Sequence, residues 1–338
     1  MTNGRPTACG TISGMPLPCS VLVLTTGGTI ASRDDGTGAK TATAPGHELL
    51  SSSGATPGLR VRVRDLLSVD SAALTVADLD TIRVAVAAAL AEDVLGVVLT
   101  HGTDTLEETA LLLDLVHDDP RPVVLTGAVR AADDEQPDGP GNLRDALAVA
   151  ASPTARGLGV LVVLGGSAHA ARGTRKLHTT ALTPFHDPRW GAVGLVTGAG
   201  LDVVRRPRRP APVVAGPLAG LRVDVVALYP GADATALDAH VAAGARGLVL
   251  ETTGSGNTHP DVVAAVAGHV RAGVVVLEST RVPAGEVAAV YGGGGGGRDL
   301  VDVGAVVVPW LRPGQARVQL LVLLAAGATG AEVRAASW

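Results

Sequence analysis

Short apolar runs alternate with helical patterns along the chain, and this alternation is the feature that most limits its fold. Helical patterns at 75–92, 104–116 and 142–152 lie among the runs, and Thr75 is placed as the cap of the first. Such alternation predicts an α/β fold with a doubly wound, mostly parallel sheet. The runs with the length and composition of buried strands are SVLVLTT (20–26), LRVRVRD (59–65), LGVVLTH (95–101), PVVLTG (122–127) and LGVLVVLGG (158–166).

A stretch rich in Pro, Arg and Gly at 205–220 interrupts this pattern and marks a domain boundary. The alternation then restarts, with strands expected at 222–229, 246–252 and 274–279 and helices at 234–244, 260–273 and 313–327. Within the boundary stretch, RRPRRP (205–210) is interpreted as a solvated linker. The predicted organisation is a disordered leader (1–19), a larger N-terminal α/β catalytic domain (20–204), a linker (205–220) and a smaller C-terminal α/β domain (221–338).

Bulk composition narrows the class of protein. The 338 residues are 46% hydrophobic but only 2% aromatic, which is typical of parallel strands covered on both faces. A net charge of −5 gives no general attraction to nucleic acid. Both cysteines, Cys9 and Cys19, precede the first predicted strand and cannot cross-link the core. Because neither a membrane-spanning run nor a signal-peptide pattern is found, we expect a cytoplasmic protein without membrane partners.

Polar residues gather where the predicted parallel strands end. Thr29 follows the first strand within TTGGTIAS, and Thr103 and Asp104 follow the third within HGTDT. In open parallel sheets, ligands bind beyond the carboxyl ends of the strands, so these loops are expected to converge. Gly28 and Gly102 let backbone N–H groups approach a substrate oxygen, as an oxyanion hole requires.

The residue types in these loops suit attack on a carbonyl carbon. A threonine hydroxyl is a weak nucleophile and needs a base or a polarising network. Asp104 beside Thr103 supplies one half of such a network, and Lys176, in the polar segment RGTRKLHTT, is the candidate for the other. The set Thr29, Thr103, Asp104 and Lys176 therefore points to hydrolysis of an amide or an ester.

Each of these residues also has a purely structural interpretation. TGGTIA resembles an ordinary strand-to-helix turn, Asp104 is of the type that caps helices, and a lone Lys176 is typical of solvated surfaces. His101 is interpreted as a hydrogen-bonded buried group rather than a base.

Taken together, the motifs resemble those of the asparaginase family, over a span from Val21 to Ala326. TGGTIAS (26–32) is similar to the first family signature, and HGTDTLEETA (101–110) is similar to the second almost letter for letter. Further segments follow in the family order, and the joint occurrence is far more specific than any single motif. These segments are PVVLTGAVR…DGPGNL (122–143), TRKLHTT (174–180), STRVPAG (279–285) and ARVQLLVLL (316–324).

This resemblance implies roles for individual residues. Thr29 would be the first nucleophile, while Thr103, Asp104 and Lys176 would form a second catalytic set. Asp104 would also receive the α-ammonium group of the substrate, and Ser68 its α-carboxylate. The implied reaction is hydrolysis of L-asparagine to L-aspartate and ammonia, with no metal and no organic cofactor.

The resemblance also implies assembly, because two positions match family residues that reach a neighbouring subunit's site. These are Ser255 in TTGSGN and, by a looser match, Glu286. A homo-oligomer, expected to be a tetramer built of dimers, follows from such sharing.

Two departures from the family pattern bear on mechanism and specificity. The predicted lid, residues 33–46, has no tyrosine where the family commonly places one to activate the nucleophile. Tyr291 beside the glycine run is the predicted substitute; alternatively it only packs there, and water or Thr43 relays the proton. Val69 stands where many relatives have a glutamine that contacts substrate, which favours asparagine over glutamine.

Two alternative functions fit the same fold. They are a glutaminase-asparaginase of broader specificity and a non-catalytic amino-acid-binding protein. A dinucleotide-dependent oxidoreductase would need G-x-G-x-x-G after the first strand, and a zinc hydrolase would need a motif such as H-E-x-x-H. The sequence has neither.

Overall fold

A computed structural model of the protein describes residues 11–12, 15–16, 20–54, 58–198 and 200–336. Two short strands in the leader, β1 (Thr11–Ile12) and β2 (Met15–Pro16), pair with each other antiparallel. The rest of the leader, with Cys9 and Cys19, lies outside the described residues. The chain divides into two compact units, up to Arg209 and from Pro210 onwards.

The first unit is built on a sheet of eight strands in the order β14-β13-β10-β9-β8-β7-β3-β6. Five neighbouring strands are parallel to one another: β6, β3, β7, β8 and β9. The other three, β10, β13 and β14, pair antiparallel at the β9 side of the sheet. The strands of this unit are β3 (Ser20–Thr25), β4 (Ser32–Asp34), β5 (Lys40–Ala42), β6 (Arg60–Asp65), β7 (Gly96–Thr100), β8 (Val123–Thr126), β9 (Val160–Leu164), β10 (Ser167–Ala170), β11 (Arg175–Lys176), β12 (Phe185–His186), β13 (Gly194–Thr197) and β14 (Gly200–Val203).

Helices cover both faces of this sheet, as the composition predicts. Alternate residues of β3 enter opposite cores: Val21 and Val23 pack in one, Leu22 and Leu24 in the other. The four helices are α1 (Gly46–Ser53), α2 (Val76–Leu90), α3 (Leu106–Val116) and α4 (Gly139–Ala151). Thr75 caps α2 as predicted, because its hydroxyl accepts the N–H of Asp78 at 3.2 Å.

The second unit contains a smaller, fully parallel sheet in the order β15-β16-β17-β18. Residues on one face of this sheet, such as Leu248 and Val276, pack with helices of the unit. Gly247 faces the other side of the sheet, where a β-carbon would lie 2.6 Å from Leu320, in the helix that begins at Pro313. The elements are β15 (Val223–Ala227), α5 (Thr235–Ala242), β16 (Gly247–Thr252), α6 (Pro260–Arg271), β17 (Val275–Thr280), α7 (Gly297–Asp302), β18 (Val306–Val307), α8 (Pro313–Ala325) and α9 (Gly330–Ala335).

The predicted fold class is confirmed: a larger, mostly parallel sheet unit is followed by a smaller α/β unit. The interpretation of 205–210 as a solvated linker, however, is wrong for two of its arginines. Arg205 pairs with the buried Asp187 at 3.3 Å, and Arg209 pairs with the buried Asp114 at 2.8 Å. Each arginine supplies a counter-charge to a buried carboxylate, so this segment packs on the first unit.

Candidate active site

The loops after β3 and β7 leave the same edge of the large sheet. The two strands are parallel neighbours with Thr25 opposite Thr100. Just beyond β3, the Thr26 hydroxyl donates to the carbonyl oxygen of Thr100 at 2.9 Å. Parallel pairing brings the carboxyl ends of the strands together, so the two signature loops start side by side.

Glycines allow these two loops to touch backbone to backbone. Gly27 and Gly28 have φ values of +99° and +79°, which other residues rarely adopt. A β-carbon on Gly28 would overlap the backbone of Gly102, and one on Gly27 would lie 2.6 Å from the carbonyl oxygen of Val69. Thr29 follows immediately as the first residue of a short 3₁₀ helix, and it is partly exposed. Its hydroxyl makes no hydrogen bond within the described part of the chain.

Lys176 brings Thr103 and Asp104 into one constellation. The Lys176 ammonium lies 2.9 Å from Thr103 Oγ1 and 2.6 Å from Asp104 Oδ1. Thr103 is 5% exposed, and the side chains of Lys176 and Asp104 are 19% and 59% exposed. The solvated-surface interpretation of Lys176 is therefore wrong. The ammonium polarises the Thr103 hydroxyl, and the Asp104 carboxylate remains accessible to a cationic group.

Asp104 does not cap the helix that follows it. The first helical residue is Leu106 and the N-cap position belongs to Thr105, which makes no side-chain capping bond. The Thr105 hydroxyl donates instead to the carbonyl oxygen of Ser71 at 2.9 Å. The capping interpretation fails because the ion pair with Lys176 draws the Asp104 carboxylate away from the helix N-terminus.

His101 is buried and fully engaged in hydrogen bonds, as the structural interpretation of it expects. Its Nδ1 lies 2.7 Å from the carbonyl oxygen of Gly102, which can only accept, so Nδ1 carries the proton. Nε2 then accepts from the Thr109 hydroxyl at 3.0 Å. Burial lowers the pKa of His101 to about 4. This neutral, doubly bonded ring has no nitrogen left to act as a base.

Ser68 and Val69 come from a third loop at the same edge of the sheet. They follow β6, the other neighbour of β3, and the N–H of Val69 donates to the Thr26 carbonyl oxygen at 3.0 Å. Ser68 is exposed, and its hydroxyl donates to the carbonyl oxygen of Ala42 at 2.7 Å. That bond ties the loop to β5, so a carboxylate bound by Ser68 would compete with Ala42.

The predicted lid forms a hairpin. Strands β4 and β5 pair antiparallel, and the hairpin is anchored at Asp133. That carboxylate accepts bonds from the Lys40 ammonium at 2.7 Å and from the backbone N–H of Asp34, also at 2.7 Å. Thr43 lies just beyond β5 and is exposed.

Sequence reasoning missed one residue of this region, Glu107. Its carboxylate accepts the backbone N–H of Lys176 at 2.5 Å. Burial raises the pKa of Glu107 to about 7, although the Lys176 N–H and the charge of Arg175 act in the opposite direction. An acidic residue in the first turn of a helix is common, so the sequence carries no signal that separates Glu107 from its neighbour Glu108.

The three remaining predicted site residues lie in the second unit. Ser255 is partly buried in the turn after β16, and its carbonyl oxygen accepts the N–H of Ala288 at 3.1 Å. Glu286 is exposed, and Tyr291 is 60% exposed. The roles predicted for Ser255, Glu286 and Tyr291 stay predictions.

Fold and site define a class of protein: two α/β units, with paired threonine loops, a lysine and an aspartate at the carboxyl edge of the larger sheet. Family models agree. Residues 20–209 match the N-terminal asparaginase domain, and residues 222–336 match the glutaminase/asparaginase C-terminal domain. The chain belongs to the asparaginase family.

Individual relatives resemble the chain over most of its length. A probable L-asparaginase of Deinococcus radiodurans is 38% identical over 319 residues, covering 91% of this chain and 94% of the relative. A glutaminase-asparaginase of Pseudomonas aeruginosa is 33% identical over 284 residues, covering 79% and 76%. The crystal structure of a probable cytoplasmic L-asparaginase from Campylobacter jejuni superposes with a TM-score of 0.83 at 28% identity, covering 93% of this chain and 98% of that one.

No helix within the described ranges is long and apolar enough to cross a membrane.

Proposed function

We propose that the protein hydrolyses L-asparagine to L-aspartate and ammonia through a threonine nucleophile. The observation that carries this proposal is the Lys176 ammonium held within hydrogen-bond distance of both Thr103 Oγ1 and Asp104 Oδ1. Thr103 and Asp104 follow Gly102, whose backbone packs against Gly28, the residue before Thr29. Membership of the asparaginase family supports the choice of an amino-acid amide as substrate.

In the proposed first step, the Thr29 hydroxyl oxygen adds to the carbon of the side-chain amide. Backbone N–H groups of the two glycine-containing loops stabilise the oxyanion that develops. The carbon–nitrogen bond then breaks, the nitrogen leaves as ammonia with the proton that the Thr29 hydroxyl gave up, and the acyl group remains as an ester on Thr29. Asp104 holds the α-ammonium group and Ser68 the α-carboxylate, which fixes the amide over the nucleophile.

In the proposed second step, water cleaves that ester. Thr103, polarised by Lys176, orients the water and relays its proton while Asp104 neutralises the lysine. The carbon–oxygen bond to Thr29 breaks, the Thr29 hydroxyl is restored, and L-aspartate is released. No part of this scheme uses a metal ion or an organic cofactor.

A direct test measures ammonia and aspartate release from L-asparagine by the purified, folded protein. Equal turnover before and after exhaustive dialysis against EDTA is expected. Absence of ammonia release from a folded protein would refute the proposal. If calorimetry then still detected asparagine binding, the non-catalytic amino-acid-binding protein would be the correct alternative.

The second candidate is a glutaminase-asparaginase, a name that some relatives carry. Val69 argues against it, because a valine offers no side-chain hydrogen bond to hold the longer amide. Parallel assays with asparagine and glutamine decide between the two.

We also propose a cytoplasmic homotetramer built of dimers, in which Ser255 and Glu286 complete a neighbour's site. The matching family positions of these two residues support it, as does the description of the Campylobacter jejuni relative as cytoplasmic. Light scattering after size-exclusion chromatography should give four times the chain mass of 33.7 kDa. A monomer with full activity would contradict this assembly.

A further inference from the structure

We infer that Glu107 is a positioning residue for Lys176: by accepting the lysine's backbone N–H, its carboxylate keeps the ammonium within reach of Thr103 and Asp104. This inference rests on the proposed function and deepens it, since it assigns a task to a residue outside the predicted catalytic set.

Lys176 is held at both ends by one short segment of chain. Its backbone N–H donates to Glu107 Oε2 at 2.5 Å. Its side-chain Nζ lies 2.9 Å from Thr103 Oγ1 and 2.6 Å from Asp104 Oδ1. Because all three partners lie between residues 103 and 107, the backbone and the ammonium of Lys176 both bind the short segment that leads into the first turn of α3.

The strand that carries Lys176 is short. Strand β11 is two residues long and pairs with β12, also two residues long, where Lys176 lies opposite Phe185. The next backbone bond in this hairpin joins the N–H of Leu177 to the Pro184 carbonyl oxygen at 2.8 Å. A two-stranded hairpin of this size is marginal by itself, so the bond to Glu107 ties it to the large unit.

Charge makes this bond sensitive to pH. Burial and the charge of Glu108, in its own helix, raise the pKa of Glu107 to about 7. The Lys176 N–H and the charges of Arg175 and Lys176, from β11, oppose this shift but do not cancel it. An ionised carboxylate accepts a hydrogen bond more strongly than the neutral acid does. The hold on Lys176 therefore strengthens as pH rises through neutrality, and turnover is expected to rise with it.

The composition of the chain offers a direct probe of the lysine. Only two lysines occur among its 27 basic residues, Lys40 and Lys176. Acylation by an acetyl N-hydroxysuccinimide ester, located by peptide mass spectrometry, thus reports on Lys176 with Lys40 as an internal reference. Lys40 belongs to the lid hairpin, and its ammonium binds Asp133. Glu107, by contrast, accepts the backbone N–H of Lys176.

The experiment compares wild type with Glu107→Ala, Glu107→Gln and, as a matched control one residue away, Glu108→Gln. For Glu107→Ala we expect kcat about tenfold lower with a smaller change in KM, because a buried N–H loses its acceptor. Lys176 should become several-fold more reactive to acylation while Lys40 does not change. Glu107→Gln keeps an acceptor, so it should retain most of the turnover but lose the rise of kcat near pH 7. Glu108→Gln should keep the wild-type kcat above neutral pH and the wild-type acylation of Lys176, while the rise of kcat moves to lower pH because the Glu108 charge helps raise the pKa of Glu107.

Unchanged kcat and unchanged Lys176 acylation in Glu107→Ala would overturn the inference. It would also fail if Glu107→Gln kept the wild-type pH profile. Acylation does not depend on turnover, so this readout still tests the inference if wild type releases no ammonia from asparagine, which would refute the proposed function alone.

Discussion

Gly28 lies so close to Gly102 that a β-carbon on Gly28 would overlap the Gly102 backbone. This contact fixes the distance between the loop that carries Thr29 and the loop that carries Thr103. No larger residue fits there without separating the two loops.

Gly28→Ala should therefore abolish most of the activity and destabilise the protein. A backbone with φ +79° and ψ −179° costs about 1–3 kcal/mol for a residue with a side chain, and the steric overlap adds to it. Gly36→Ala is the matched control, because Gly36 has a φ of +89° but nothing within 4 Å of its β-carbon position. Urea unfolding and ammonia release measure the two effects. Similar losses of stability and activity in both variants would show that the backbone conformation of the glycine, rather than the contact between the two loops, causes the loss.

Removal of either threonine hydroxyl should stop the chemistry without unfolding the protein. We expect Thr29→Ala and Thr103→Val each to lower kcat by roughly three orders of magnitude or more, since the proposed mechanism uses each hydroxyl in the chemical step. Thr103→Val keeps the shape of the buried side chain while removing the hydroxyl 2.9 Å from Lys176. Circular dichroism checks the fold, and Thr81→Ala, on the exposed side of α2, serves as control. A Thr29→Ala variant with a tenth of wild-type kcat would disprove the nucleophile assignment.

Sequence periodicity was enough for the parallel part of the fold, because buried parallel strands such as Gly96–Thr100 are continuous apolar runs. The antiparallel edge was harder. Strand β13 mixes Gly194 and Thr197 with an exposed Leu195, so neither its length nor its pattern stands out from a loop.

For the candidate site, local motifs were enough to predict Thr29, Thr103 and Asp104, because all three follow glycines at the ends of predicted strands. The partnership of Lys176 with Thr103 spans 73 residues and depends on tertiary structure. Glu107 could not have been predicted, because its bond is to a backbone N–H and any first-turn acid looks the same in sequence.

Specificity should favour asparagine over glutamine. Val69 has no polar side-chain atom, and its backbone N–H is already used by the Thr26 carbonyl oxygen. Val69→Gln should raise kcat/KM for glutamine relative to asparagine, by roughly the five- to tenfold that one neutral hydrogen bond provides. The measurement is ammonia release from both amides. Comparable kcat/KM values for the two in wild type would contradict the prediction.

Stability should fall as pH rises above the ordinary pKa of a glutamate, because of Glu278 in β17. This side chain is buried, and neither carboxyl oxygen has a hydrogen-bond partner among the described residues. Burial raises its pKa to about 8 from an ordinary 4.5. The unfolded chain therefore loses this proton first, and the folded state is progressively destabilised between pH 4.5 and 8, by an amount on the order of a few kcal/mol.

Glu278→Gln removes the titration and should flatten the dependence of the urea midpoint on pH between 5 and 9. Glu251→Gln, on the neighbouring strand and partly exposed, is the control. An equally steep dependence in Glu278→Gln and wild type would assign the effect to other groups.

Thr29 needs a group that takes its proton, and the lid hairpin contains no tyrosine for this task. The chain has two tyrosines, and Tyr291 begins the glycine run of the second unit. Its carbonyl oxygen accepts the N–H of Arg298 at 2.9 Å, which fixes its backbone, while the side chain is 60% exposed. The Tyr291 phenol is therefore accessible, and its role in activating Thr29 stays a prediction.

Tyr291→Phe removes only that hydroxyl, so any loss of turnover reports on proton transfer rather than on packing. We expect a large fall in kcat with unchanged oligomeric state if Tyr291 activates the nucleophile. Tyr229→Phe is a close control, since Tyr229 is the other tyrosine and is 61% exposed. Near-wild-type turnover of Tyr291→Phe would eliminate the role, and loss of activity in Thr43→Val would then identify Thr43 as the relay.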